Sequence, residues 1–162
     1  MTRMSGSGGW RGKVGGLDRE EMDRFLAEGR LARLACLDAD GWPYVVPVWH
    51  EWSEGGFWVV PRRRSAWAAH LRRDPRCAVT VDEEGTQRKV VAQCRARLVE
   101  EPNVGGRWVP IAERMSVRYL GAHGPDYLAP TLDEPRWLFH LTPTRILTWQ
   151  GVDWARRYKS TG

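Results

Sequence analysis

Residues 41–76 read GWPYVVPVWHEWSEGGFWVVPRRRSAWAAHLRRDPR, and this stretch decides the fold. Asp40-Gly41 just before it is a hairpin signal, because glycine reaches the positive φ that such turns need. Trp42 to Trp52 then reads as the returning arm, and Glu54-Gly55-Gly56 turns the chain into a further strand, Phe57 to Pro61. Pro43 and Pro47 share parity, so their missing N–H groups face one side, which cannot pair fully with another strand. Ser65 to Arg73 is a short helix with Trp67, Ala68 and Leu71 on one face, and it stops before Asp74-Pro75. Strand edge, turn, strand and short helix thus follow within thirty-six residues.

Working outward, Leu17 to Gly29 is a helix: Asp18 and Glu21 form a capping box, and Met22, Phe25 and Leu26 make one apolar stripe. Leu31–Leu37, Cys77–Val81, Lys89–Val99, Trp137–Leu141 and Arg145–Trp149 are strand-like. A second helix runs from Pro110 to Leu120 and ends at Gly121, followed by a loop, Ala122 to Pro130. The expectation is a mostly β domain over residues 17–154, a six-stranded antiparallel barrel with flanking helices. A Gly/Ser-rich N-terminal arm, residues 1–16, and a tail, residues 155–162, flank it.

With 162 residues the chain has the length of one domain and buries enough surface to need no staples. No apolar run is long enough to span a membrane, and the N-terminus lacks the apolar stretch of a signal peptide. Cys36, Cys77 and Cys94 are an odd number of thiols with no metal-ligand spacing, which points to the cytoplasm rather than to a disulfide framework. The net charge is +5, carried almost wholly by arginine, so an anionic ligand is expected. Ten tryptophans supply flat apolar faces for a core or a stacking wall.

Catalytic signatures are missing. His50-Glu51 has no second histidine at zinc-protease spacing, and no serine sits in a nucleophile elbow. If the chain is an enzyme, a cofactor carries the chemistry. Two features suit one. The strand edge around Val46, Pro47, Val48 and Trp49 fits a flat heteroaromatic ring, although a sheet margin protected against aggregation has the same pattern. At the corner Pro61-Arg62-Arg63-Arg64-Ser65, guanidinium forks, a hydroxyl and helix-start amides converge, which is good chemistry for a phosphate. A solvated basic rim reads the same way.

The order of these pieces resembles the pyridoxamine 5′-phosphate oxidase-like flavin-binding split barrels. The matching segments are Arg33-Leu34-Ala35, Asp38-x-Asp40-Gly41-x-Pro43 and Val46-Pro47-Val48-Trp49. They continue with Leu71-Arg72-Arg73-Asp74-Pro75-Arg76, Arg118-Tyr119-Leu120-Gly121, Leu141-Thr142-Pro143-Thr144-Arg145-Ile146 and Trp149-x-Gly151. The resemblance implies a homodimer with FMN at its interface, the ring along Val46 to Trp49 and the phosphate at Arg62 to Ser65. It also implies that Trp149 approaches the flavin from the second subunit. Arg88 and Lys89 are candidates for stabilising charge on the flavin ring, and an exposed strand start is their plainer reading. Where the family commonly has Lys two residues after the serine, this chain has Trp67, and His70 replaces a later Asn. The family divides among FMN, the deazaflavin coenzyme F420 and haem, so the expected function is an FMN-binding oxidoreductase acting on a small molecule. An F420-dependent reductase and a flavin- or haem-binding protein without turnover are the alternatives. Pyridoxamine phosphate itself is not the expected substrate, since no C-terminal cluster for a second phosphate is visible. Nucleic acid is disfavoured as a partner, because no RNA-binding signature accompanies the arginines.

Overall fold

The computed structural model describes residues 13–152. Most of the arm, the tail 155–162 and Trp154 therefore lie outside the described residues. Just inside that boundary, Gly15 and Gln150 exchange backbone hydrogen bonds of 3.0 and 2.7 Å.

Helix α1 (Arg19–Ala27) opens on the expected capping box, with Asp18 and Glu21 each accepting from the other's backbone N–H. Strands β1 (Ala32–Leu37) and β2 (Pro43–Val48) form a hairpin around Asp38, whose carboxylate accepts from the amides of Asp40 and Trp42. Gly41 there has φ of 83°, which explains the glycine. Strands β3 (Glu51–Ser53) and β4 (Gly56–Val59) form the next hairpin, and helix α2 (Ala66–Arg73) follows. Strands β5 (Arg76–Asp82), β6 (Lys89–Asn103) and β7 (Arg136–Trp149) complete the sheet, with α3 (Trp108–Leu120) and α4 (Gly124–Leu128) between the last two.

All seven strands belong to one antiparallel sheet in the order β2-β1-β5-β6-β7-β4-β3. Its two terminal strands are β2 and β3, which only Trp49-His50 separates in the chain. The sheet must therefore roll round until its margins approach, and pairing stops between them: a split barrel. Among the described residues the sheet has seven strands where the expected barrel has six, and the arm read as continuous from Trp42 to Trp52 breaks at Trp49-His50 into β2 and β3. Conversely, the two closing strands are one, since β7 runs through Pro143 by shifting register at Gln93/Cys94. The segment 122–130 is largely helical and not a loop.

Two cores result. Inside the barrel, Leu34, Val79, Val90, Phe57, Phe139 and Leu141 meet the apolar faces of α1 (Phe25, Leu26) and α2 (Trp67, Leu71). Outside it, Trp58 of β4 and Leu138 of β7 meet Trp108, Ile111 and Met115 of α3 and Leu128 of α4. Strand β4 and the first part of β7, Arg136 to Leu141, are thus buried on both faces, and successive residues serve different cores. All three cysteines are buried and free. Among the described residues no helix is long and apolar enough to cross a membrane.

Candidate functional site

The open margin of β2, the corner after β4 and the outer helices converge on a cavity of 320 Å³. That is within the ~300–1,000 Å³ usual for small-molecule sites. Pro47, Val48 and Trp49 form one wall, and Pro61, Arg62, Ser65 and Trp67 form another. The two stretches that the sequence pairs as ring edge and phosphate corner do face one space. Met115 of α3 and Tyr127 and Leu128 of the α4 segment close it from outside.

β2 is the terminal strand beside β1, in a register that sets Pro47 opposite Arg33 and Pro43 opposite Leu37. Tyr44, Val46 and Val48 turn toward the barrel, while Pro43, Val45 and Pro47 turn outward. Val46 accordingly packs against the interior core and lends the margin only its backbone. Trp49, where the strand ends, stacks parallel on Tyr119 of α3 at 4.9 Å between ring centroids. Tyr127 lies tilted against it at 5.5 Å, so the indole is held flat by two phenols.

The corner is laced to the start of β7. The Arg63 amide donates to the Pro135 carbonyl, the Trp137 amide to Pro61, and the Trp137 indole to Arg63. Arg62 and Arg136 form an isolated backbone bridge. Ser65 is the N-cap of α2, yet its hydroxyl makes no capping bond and the first turn holds no acid. Its hydroxyl and the first helical amides are thereby available to an anion. Arg62 pairs with Glu134 at 2.9 Å on the rim. Arg63 and Arg64 are exposed and have no side-chain partner among the described residues. Trp67, at the usual Lys position, packs in the barrel core and also lines the cavity.

Arg88 and Trp149 lie elsewhere on the chain. Arg88 pairs with Glu28 at 2.9 Å and Glu83 at 3.2 Å, and its guanidinium sits 4.7 Å from the centre of the Phe25 ring. Trp149 ends β7 opposite Lys89. Neither lines the cavity formed within one chain.

Sequence reading missed Arg136. It opens β7, is 8% exposed and lines the cavity beside Arg62. Its Nη2 donates to the Thr131 hydroxyl at 2.7 Å, its Cζ lies 5.3 Å from the centre of the Trp108 ring, and its buried Nε has no partner among the described residues. Burial, then repulsion from Arg62, lowers its pKa below the usual arginine value. The available signal was an arginine in phase with the buried positions of Arg136-Trp137-Leu138-Phe139-His140-Leu141, a run that buries both faces.

A tilted aromatic wall, a terminal strand margin and a basic corner at a helix start line one cavity, an arrangement whose chemistry could hold a flat, anionic ligand. The family model for pyridoxamine 5′-phosphate oxidase matches residues 18–150, and the chain belongs to that family. Among solved structures it is similar to the conserved hypothetical protein Rv2991 of Mycobacterium tuberculosis. The two are 21% identical with a TM-score of 0.68, over 83% of this chain and 85% of the other. A FAD-binding protein of Mesorhizobium loti is similar over 87% of this chain and 98% of its own, with 22% identity and a TM-score of 0.61. The haem storage protein HutZ of Vibrio cholerae is similar over 81% and 94%, with 21% identity and a TM-score of 0.62. An F420 reductase is similar over 76% of this chain and 94% of its own, with 20% identity and a TM-score of 0.60. No curated protein matches.

Proposed function

We propose that this protein is a cytoplasmic, homodimeric flavin-binding oxidoreductase whose cofactor is FMN, with F420 as the alternative. The observation that carries this reading is the single cavity shared by Pro47–Trp49 and Pro61–Ser65. The residues fit the group: an uncapped serine hydroxyl and two arginines stand at one end, and apolar and aromatic walls stand at the other. Ser65, Arg62 and the first amides of α2 hold the phosphate, and the β2 margin orients the ring. Trp49 and Met115 exclude water from the cavity. A bound flavin supplies hydride exchange with a small substrate at ring nitrogen N5. The apolar outer face of the sheet supports a dimer, since Val45 is 63%, Val91 38% and Leu147 37% exposed in the single chain. A second copy on that face would bring Trp149 toward the flavin ring, while Arg88 stays engaged by Glu28 and Glu83.

An absorbance spectrum of the purified protein, followed by anaerobic addition of a nicotinamide donor, tests the redox claim. Flavin bands that bleach on addition support an oxidoreductase. Bands that persist with every donor leave a binding protein, and a haem Soret band replaces the flavin reading altogether.

A further inference from the structure

Among the described residues Arg136 is the only buried arginine, and no carboxylate lies within ion-pair distance of it. Glu134, the nearest acid in sequence, is engaged by Arg62. Thr131 and the Trp108 face satisfy one nitrogen and part of the charge, while the buried Nε has no partner among the described residues. A buried cation left without an anion is costly, and natural folds complete it with one. Here the missing anion has a place, because the guanidinium borders the same cavity as Arg62 and the free hydroxyl of Ser65. The backbone bridge between Arg62 and Arg136 fixes their spacing.

We infer that Arg136 is the deep half of an oxyanion receptor, with Arg62 its outer half, and that a ligand-borne phosphate enters between them. The planar fork suits two oxygens of one phosphate. The inference rests on the flavin reading for the ring alone. The oxyanion comes either from the cofactor or from an anionic substrate beside it.

The test uses the full chain, Arg136→Met and Arg136→Lys, with inorganic phosphate, FMN and riboflavin as probes. Phosphate should raise the wild-type Tm in a saturable way. Arg136→Met should bind phosphate on the order of ten- to a hundredfold more weakly, since a charged hydrogen-bonding partner is lost. Without phosphate its Tm should match or exceed the wild-type value, because an unmatched buried charge is gone. Where Arg136→Met does not fold, Arg136→Lys carries the test, with weaker phosphate binding at an unchanged Tm. FMN weakened in parallel, with riboflavin unaffected, assigns the cofactor's phosphate to the receptor; FMN unchanged assigns it to a substrate. Phosphate that protects the variants as it protects the wild type, or protects none of them, overturns the inference. If phosphate binding depends on Arg136 while no flavin binds, the flavin reading falls and the receptor stands.

Discussion

Ser65 opens α2, yet its hydroxyl makes no bond to the helix it starts. Replacing a capping serine by alanine ordinarily costs about 1 kcal/mol. Here Ser65→Ala should leave Tm nearly unchanged while weakening FMN about tenfold, because the hydroxyl makes no capping bond and the proposed phosphate would use it. Thermal unfolding and FMN titration together check this, and a drop in Tm at unchanged affinity contradicts it. His50 behaves differently. It is 1% exposed, its Nε2 lies 3.2 Å from the Leu26 carbonyl and its Nδ1 lies 3.1 Å from the Tyr119 hydroxyl. Burial lowers its pKa to about 4, outweighing the Leu26 bond, and Arg118 adds to the shift. An unfolded imidazole titrates near 6.5, so between these values the unfolded chain holds the extra proton. The resulting stability is complete above pH 6.5 and is lost as pH falls to 4, on the order of 3 kcal/mol. Urea unfolding at pH 7 and 4.5 should show a loss that is smaller in His50→Gln, the carboxylates whose pKa is lowered accounting for what remains.

At the scale of elements, the outer helices hold the roof of the cavity. Glu51 of β3 accepts two bonds from Arg114 of α3, at 2.8 and 2.7 Å, with Arg118 3.5 Å away. Gly124 lets α4 lie against α3: a Cβ there would stand 2.4 Å from the Ser116 carbonyl carbon and 2.5 Å from its oxygen. Gly124→Ala should therefore cost about 1–3 kcal/mol and lift Tyr127 from Trp49. A lowered Tm with altered near-ultraviolet circular dichroism is the expected pair of readings. These elements were unevenly legible. The capping box of α1, the Asp40-Gly41 turn and the apolar face of α2 were readable because short-range chemistry sets them. The break at Trp49-His50 was not, because it follows from Trp49 stacking on Tyr119, seventy residues away. Trp137–Leu141 and Arg145–Trp149 read as two strands, but a register shift accommodates Pro143 and joins them as β7. The segment 122–130, read as a loop, is largely helical, and Pro125 and Pro130 both suit the short helical turns found there. The two stretches that line the cavity were readable as adjacent motifs. Arg136 was not, since its significance lies in burial without a partner.

For the whole molecule, the split between β2 and β3 explains why the site lies where it does. A closed barrel would pair the β2 margin with a neighbour, whereas this one leaves it facing the cavity roofed by α3 and α4. The same rolling turns Val45, Val91 and Leu147 outward, so the proposed dimer should depend on them. Val45→Glu should shift sedimentation from dimer to monomer without unfolding the chain, because residue 45 is already exposed. The most direct test of the central claim is a tryptophan-quenching titration of the wild-type protein with FMN and with F420. Trp49 and Trp67 line the cavity and report on its filling. Saturable quenching by one cofactor, at one site per chain, is the predicted result. Saturation by neither would contradict the claim that this cavity is a flavin site.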